Sequence, residues 1–388
     1  MHERDIMSTR KRILPAFVFM IVLSVVMFLL LSYLKEAFAD NKYIFDFDEL
    51  MKGCAEGSFK WRVLWFLYDL AEGPFMCVLP AGILMVIGAY LSAYLERKGS
   101  RFKGTGTDGT GYLFTSMSLC GFLTIILGEL IFGFWFDDGF LPTFTSFIMT
   151  QLFIITYKAN DIKRALTVTV VVTLIHTPIA FLVINYIATA NNLPMFSGFA
   201  MSGLITIPAI SETLRRLKWM EIINEPPEIK EVTISDNMFF INRVFGDVMQ
   251  TILWGSSISC IFMYVGSVFS MILNPDHQAG QMEIVMPMQI LTGSVAVFVW
   301  WDSWKQNGWE YTINAILFTS AVSIMYPPNL IVLLLSIAIG VFGVVPLLRR
   351  MLQWKKITDR WPAVWLVFLS NLTFLIPWCL IIKFVLAI

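Results

Sequence analysis

Long apolar runs alternate along this chain with short polar connections, and this alternation limits what the chain can fold into. A bilayer core about 30 Å thick is crossed by a helix of about 20 apolar residues. Backbone groups in hydrocarbon have no water to bond, so spanning segments must be helices or a closed barrel, and long continuous runs favour helices. The runs lie at residues 13–34, 74–95, 113–134, 143–157, 165–188, 195–211, 244–273, 284–301, 311–325, 329–348 and 363–386. The sequence therefore predicts an all-α, polytopic membrane bundle of about eleven transmembrane helices.

The connections between these runs alternate in charge. After a mixed first connection at 35–62, every second one contains neither lysine nor arginine, at 135–142, 189–194, 274–283 and 326–328. The intervening connections are basic and carry pairs such as Lys163–Arg164, Arg215–Arg216 and Arg349–Arg350. Cytoplasmic loops of membrane proteins hold an excess of lysine and arginine. We therefore predict that the N-terminus lies inside and the C-terminus outside.

Composition excludes several classes of protein. Charged residues form only 14% of the 388 residues, against about 25% in a typical soluble domain. A net charge of zero leaves no basic excess to neutralise nucleic-acid phosphates. The five cysteines form no CxxC pair, and neither HExxH nor GxSxG occurs. A GxGxxG pattern at 104–109 lacks the preceding strand of a dinucleotide fold. We predict no catalytic residue, metal, cofactor or nucleic-acid partner.

A proline-rich polar segment divides the chain. Pro226-Pro227 and the acidic-polar residues that follow are typical of a linker. We therefore predict two membrane halves, 1–211 and 244–388, joined by a cytoplasmic linker at 212–243.

Two segments near the N-terminus have their own character. The first run, 13–34, follows a basic flank as a signal peptide would, but it is longer than the usual apolar region of about 7–15 residues. We expect it to be retained as the first helix. The aromatic segment 61–70 is expected to form a helix at the membrane interface.

Two of the runs, 143–157 and 195–211, are short. Gly198, Gly203 and Pro208 interrupt the second run. Short helices broken by glycine or proline often line the substrate site of secondary transporters, because freed backbone groups persist there beside a cavity. The other interpretation is close helix packing through small residues. Both interpretations stay open from the sequence.

Three runs predicted to pass inwards share a layout. Each has a proline and an apolar stretch of about 20 residues, followed by a pair that contains arginine: Pro74 and Glu96-Arg97, Pro194 and Arg215-Arg216, and Pro328 and Arg349-Arg350. This layout suits any helix that ends at the cytoplasmic face. It is therefore only weak support for an internal duplication.

Ionisable groups inside spans are costly in hydrocarbon and point to function. His176 lies in the middle of its span, Glu129 near the outer end of its span, and Asp247 near a cytoplasmic helix start. A histidine titrates near neutral pH and a buried carboxyl shifts towards it, so we predict proton coupling or binding of a polar solute. The alternative is structural hydrogen bonding, or for Asp247 an ion pair with Arg243 one turn earlier.

Polar groups without charge extend this candidate site. Gln151, Ser202 and Thr206 are placed to hydrogen-bond a polar solute within the spans. Asp69 and Glu72 lie just before the second run, where they either ring an outer vestibule or are solvated at the interface. We favour solvation for these two carboxylates.

These features favour a transporter or permease for a small polar solute in a cell membrane, of the bacterial inner-membrane type. Without a nucleotide-binding motif, its energy would come from an ion or proton gradient or from a partner subunit. The alternatives are a membrane-embedded enzyme acting on a lipid or lipid-linked substrate, and a membrane subunit of a larger complex. The expected partners are bilayer lipid, the solute, and either a second copy of the chain or another membrane subunit.

Overall fold

The computed structural model describes residues 3–72, 75–76, 78–100, 114–220, 235–249, 255–277, 282–301, 312–326 and 329–385, with the backbone alone for 3–9. In these ranges the regular structure is helical. The helices are α1 Glu3–Ala37, α2 Phe47–Ala55, α3 Phe59–Asp69, α4 Leu79–Arg97, α5 Phe114–Phe132, α6 Thr143–Thr156, α7 Ile162–Leu182, α8 Met195–Arg215, α9 Asp236–Met249, α10 Ser257–Leu273, α11 Met282–Val299, α12 Thr312–Met325, α13 Leu330–Met351 and α14 Val364–Phe384.

Several of these helices have the length and composition of membrane spans. Among the described residues, seven helices are long and apolar enough to cross a bilayer: α1, α4, α5, α7, α11, α13 and α14. Three shorter apolar helices, α6, α10 and α12, accompany them. The all-α, multi-pass class is confirmed, whereas the number of eleven spans stays a prediction. The glycine pattern at 104–109 and residues 221–234 of the predicted linker lie outside the described ranges.

The run 244–273 is not the single helix that the sequence predicts. Helix α9 ends at Met249 and α10 begins at Ser257. Gly255 has a φ of +55°, and the Ser256 side chain accepts a hydrogen bond from the backbone of Ser259. A left-handed glycine followed by a capping serine starts a new helix, because the cap satisfies an otherwise unpaired N–H. Because the capping serine lies inside a largely apolar run, the sequence pattern does not indicate this helix boundary.

The run 195–211 is longer and more regular than its glycines and proline suggest. Helix α8 continues through Pro208 to Arg215 without interruption. A Cβ on Gly198 would lie 2.7 Å from Ile184, and one on Gly203 would lie 2.4 Å from the Phe368 ring. These glycines allow neighbouring helices to approach closely, so the packing interpretation holds for α8 and the broken-helix interpretation does not.

The short helices α6 and α12 lie in the interior of the bundle. Each has 14 residues and is about 21 Å long, which is less than a bilayer core. Every residue of Thr143–Ile154 and Thr312–Ser323 is buried. Neighbouring helices therefore shield both from lipid, which fits the prediction that 143–157 is a short span.

Among the described helices, α4 and α10 share the most extensive contact. A Cβ on Gly266 would lie 2.4 Å from the Pro80 carbonyl oxygen, and one on Gly88 would lie 2.8 Å from the Ser259 Cα. Gly88 therefore lies by the start of α10, while Gly266 lies by the start of α4. The two helices are antiparallel and their backbones touch at both glycines.

Helix α1 lies at the edge of the bundle against α11. The Ser24 hydroxyl donates to the Pro287 carbonyl at 2.8 Å, and Lys35 pairs with Glu283 at 2.6 Å. The other side of α1 exposes large apolar side chains, among them Val18, Phe19, Val22 and Leu29. Exposed apolar surface of this kind suits contact with lipid.

We expect Gly266→Ala to lower the free energy of unfolding by about 1–3 kcal/mol, because an added methyl group has to push α4 and α10 apart. Thermal unfolding of the purified protein in detergent measures the change. Gly343→Ala is the matched control, since its Cβ would meet only the Phe374 ring at 3.1 Å. Equal destabilisation by the two substitutions would contradict the close contact between α4 and α10.

Candidate functional site

Three carboxyl groups lie close together at the end of the bundle that the charge rule assigns to the outside. Asp69 ends α3, Glu72 follows in the turn before α4, and Glu129 lies near the end of α5. We call these residues the acidic cluster. The Thr143 hydroxyl, at the first residue of α6, donates to Asp69 Oδ2, and Trp65 Nε1 donates to Thr143 Oγ1 at 3.3 Å.

The acidic cluster is buried, which corrects the expectation that Asp69 and Glu72 are solvated. Asp69 is 0% exposed, Glu72 6% and Glu129 7%. The Asp69 and Glu72 carboxyl groups hydrogen-bond to each other, whereas Glu129 Oε1 is buried without a hydrogen-bond partner. The physical reason is that α2 and α3 fold over this end of the bundle, where their aromatic residues pack against Phe136 and Phe181.

Loss of solvent governs the protonation of the two carboxyl groups outside the spans. Burial raises the pKa of Asp69 from 3.8 to about 7. Burial and the neighbouring Asp69 charge raise the pKa of Glu72 well above its ordinary value. The adjacent groups therefore hold a proton near neutral pH, as two carboxylates in one low-dielectric site do.

Few charges compensate this cluster. Arg62 lies nearby, and its guanidinium donates weakly to the Gly133 carbonyl at 3.5 Å. The Cys54 thiol also faces the cluster, and burial followed by the Glu129 charge raises its pKa to about 12. Among the described residues, no three His, Cys, Asp or Glu side chains are grouped so as to hold a metal ion.

His176 lies in a second place, the middle of α7, and contacts α8. Its Nδ1 is 2.7 Å from Thr206 Oγ1, while the Thr206 hydroxyl donates to the Ser202 carbonyl at 2.8 Å. Because the threonine proton is used there, His176 Nδ1 carries the hydrogen and Thr206 accepts it. His176 Nε2 is then an acceptor, and it is buried without a partner. The structure thus brings together His176, Ser202 and Thr206.

The remaining predicted residues lie elsewhere. Gln151 is buried on α6, with its amide nitrogen beside Gly121 of α5. Asp247 is buried on α9, 2.6 Å from Arg243 Nη2, and accepts a hydrogen bond from the Thr312 hydroxyl. The ion pair named as the alternative for Asp247 is therefore present. A buried pair of this kind mainly neutralises its own charges.

Sequence reasoning missed the aromatic contact between α8 and α14. The ring centroids of Phe199 and Phe368 are 4.9 Å apart, and the His176 ring centroid is 6.0 Å from that of Phe199. Asn371, one turn beyond Phe368, donates to Asn314 on α12, and its Oδ1 is buried without a partner. The phenylalanines gave no signal because aromatic residues are frequent in apolar runs.

We expect the stability of the wild-type protein to fall as the pH rises from about 5 to 7, by on the order of 1.4 kcal/mol per pH unit for each group titrating in this range. The unfolded chain releases the Asp69 proton near its ordinary pKa, whereas the folded chain holds it until about pH 7. Folding therefore favours protonated Asp69, and the stability that this preference contributes is lost as the pH rises towards 7. Thermal unfolding of wild type and Asp69→Asn across this range measures it, and equal slopes would contradict it.

We expect Arg243→Met to lower the free energy of unfolding by about 3–5 kcal/mol, because Asp247 is left buried without its cation. Adding Asp247→Asn to the same chain is expected to restore part of this loss. Arg360→Met is the matched control, since its pair with Glu212 is exposed and should contribute less than about 1 kcal/mol. Denaturation in detergent of wild type, Arg243→Met, Asp247→Asn, the double variant and Arg360→Met decides, and additive effects of the two substitutions at the pair would contradict the ion pair.

No protein-family model, curated protein or solved structure matches this chain.

Proposed function

We propose that the protein is a multi-pass membrane transporter that moves a small polar solute and couples this movement to protons. The observation that carries the proposal is the acidic cluster, where Asp69 and Glu72 are buried against each other and Glu129 is buried nearby with an unpartnered oxygen. Burying three carboxyl groups with so little compensating charge costs several kcal/mol, so a bundle built only for stability would avoid them. A carboxyl group that gains and loses a proton during transport must stay ionisable, so this free-energy cost of burial is the consequence of its function.

The position of the cluster supports coupling. Its carboxyl groups come from the segment before α4 and from α5, and Asp69 also bonds the first residue of the interior helix α6. Ionisation of Asp69 or Glu72 changes the charge at the junction of these elements. A change of charge that alters helix packing is the usual means by which protonation drives a conformational step.

The second polar place supports a polar solute. His176, Ser202 and Thr206 offer hydrogen-bonding groups in the middle of the bundle, and His176 Nε2 has no protein partner there. A ligand hydroxyl or amide group that donates to this nitrogen would satisfy it.

Two further expectations belong to this proposal. Basic connections alternate with connections that contain neither lysine nor arginine. This alternation supports a cytoplasmic-type membrane, as in the inner membrane of a bacterium. The apolar surface of α1 supports contact with lipid, with a second copy of the chain or with a partner membrane subunit.

The test uses the purified protein in liposomes that contain a pH-sensitive dye. Pools of small polar solutes are added under an imposed proton gradient, and solute-dependent proton movement is recorded. We expect Asp69→Asn and Glu72→Gln each to reduce this movement by roughly a hundredfold, the scale on which loss of a proton-transfer group acts. The asparagine and glutamine side chains resemble the protonated carboxyl groups that they replace, so binding of the solute itself should persist.

Glu212→Gln is the matched control, because it removes an exposed carboxylate at the opposite end of the bundle. It is expected to transport as wild type does. Solute movement without proton movement would leave a transporter but remove proton coupling. If no solute pool moves in wild type, the transport proposal is wrong.

A further inference from the structure

The helices of the bundle occur in two series with the same order. Each series begins with a short helix that carries a buried aspartate, continues with two apolar helices, and then has an interior helix of 14 residues. Each then has a long helix with a π-helical segment, which directly follows α7 at Val183–Ala188 and lies within α13 at Gly340–Val344. Each series ends with a helix that contains a proline. The first series is α3–α8 and the second is α9–α14.

The amino-acid sequences of α4 and α10 match in register. Both contain the pattern I-x-M-x-x-G-x-x-x-S-x-x-L. The matched pairs are Ile83 and Ile261, Met85 and Met263, Gly88 and Gly266, Ser92 and Ser270, and Leu95 and Leu273. The glycines are the two that allow the helix backbones to touch. The same residues therefore perform the same packing task in both series.

Later helices also match, at a separation along the chain that varies by one residue at most. The matched pairs are Thr124 and Thr292, Thr143 and Thr312, Thr150 and Thr319, Pro178 and Pro346, Phe199 and Phe368, and Pro208 and Pro377. Such constancy across four helices and their connections is unexpected unless the two series share an origin.

The matched residues make the same contacts. Thr143 donates to Asp69, and Thr312 donates to Asp247. The Thr124 and Thr150 hydroxyl oxygens are 2.7 Å apart, and those of Thr292 and Thr319 are 3.0 Å apart. Two hydrogen bonds between helices of the first series are therefore reproduced in the second series.

The two series are related by inversion. Gly88 touches Ser259 and Gly266 touches Ala81, and this exchange of partners is what a two-fold axis between α4 and α10 produces. Phe199 and Phe368 are also matched residues, and they touch each other. Helices α8 and α14 run antiparallel there, since Trp365 donates to the Leu204 carbonyl and Arg360 pairs with Glu212. Both self-paired contacts therefore lie on one pseudo-two-fold axis.

We infer that residues 59–215 and 236–384 are inverted copies of one six-helix unit, and that an uncharged polar solute crosses between α8 and α14 at the Phe199–Phe368 contact. This inference rests on the proposed transport function. Transporters built from inverted repeats place the substrate where the repeats meet and expose it to one side and then the other. The observed contact between the two rings is the closed arrangement of this pathway.

Polar groups with unused hydrogen-bonding capacity lie on both sides of the ring pair. His176 packs against Phe199 and has a free Nε2, while Asn371 is one turn from Phe368 and has a free Oδ1. Both atoms are fully buried acceptors. A solute with hydroxyl or amide donors would satisfy them when the two copies separate.

The chemistry around the contact favours a solute without charge. The polar side chains near it are those of His176, Ser202, Thr206, Asn314, Ser370 and Asn371. His176 is neutral, because a proton on the unpartnered Nε2 would leave a buried and unpaired charge. The ionisable residues Asp69 and Asp247 instead lie on the short helices that begin each copy. Among the residues that the structure describes, a charged solute would therefore find no opposite charge at the crossing.

Cysteine accessibility in proteoliposomes tests this inference without measuring transport. Ser202→Cys and Asn371→Cys place thiols beside the contact, whereas Thr150→Cys and Thr319→Cys place equally buried thiols inside one copy. A small membrane-impermeant methanethiosulfonate is applied from each side, with the wild-type chain as the background. We expect the first pair to react at least about tenfold faster than the control pair. This ratio corresponds to a free energy of opening that is about 1.4 kcal/mol lower at the α8–α14 contact than inside one copy. Equal protection of all four positions overturns the inference.

A covalent bridge provides the second measurement. Phe199→Cys combined with Phe368→Cys should be bridged by a short bifunctional methanethiosulfonate, which forms one disulfide with each thiol. The bridge should reduce labelling of Ser202→Cys to the rate of the controls. Reduction of the disulfides should restore it. If labelling is unchanged by the bridge, the pathway does not lie at this contact.

The two proposals fail in different ways. Rapid labelling beside the contact in a protein that moves no solute would remove the transport function and keep the inverted copies. Solute movement that continues with the bridge intact would keep transport and remove the assigned crossing.

Discussion

The backbone contact of α4 with α10 is the interaction on which the rest of the bundle depends. In a bilayer, apolar side chains gain little by leaving lipid, so helices associate through close packing and hydrogen bonds. Gly88 and Gly266 remove the side chains that would hold these two helices apart. The contact fixes where α3 and α9 lie, since each is joined to one of the two helices by a short connection. Those short helices in turn bring Asp69 to Thr143 and Asp247 to Thr312.

The two matched aspartates, Asp69 and Asp247, are neutralised by different groups, and this difference makes the two ends of the bundle chemically unequal. Four residues before Asp247 stands Arg243, which forms a buried ion pair with it. Four residues before Asp69 stands Trp65, which donates to Thr143 and supplies no charge. The second copy thus has a permanent cation where the first has neighbouring carboxyl groups. A proton is the natural counterpart of Arg243 in the first copy, because burial keeps Asp69 and Glu72 protonated near neutral pH.

The sequence predicts the helical membrane class well, because apolar length and the positions of lysine and arginine follow directly from the bilayer. It fails where local chemistry is hidden inside a run. Gly255 and Ser256 separate α9 from α10 within an apolar stretch, and only the cap geometry reveals it. Asp69 and Glu72 look like loop carboxylates, since nothing local shows that α2 and α3 cover them. The sequence analysis selects His176, Ser202 and Thr206 as candidate site residues. Their hydrogen-bond partners depend on helix packing, which the sequence does not specify.

The opposite placement of α3 and α9 also explains how such a protein can arise. A unit whose chain enters at one face and leaves at the other crosses the membrane an odd number of times. When the gene for such a unit is duplicated in tandem, the second product starts where the first one ended and is inserted upside down without any further change. Helices α1 and α2 have no counterpart in the second series, and α1 carries the chain to the face at which the first unit starts. An N-terminal addition of two helices and one duplication are therefore sufficient to produce the pseudo-symmetric bundle.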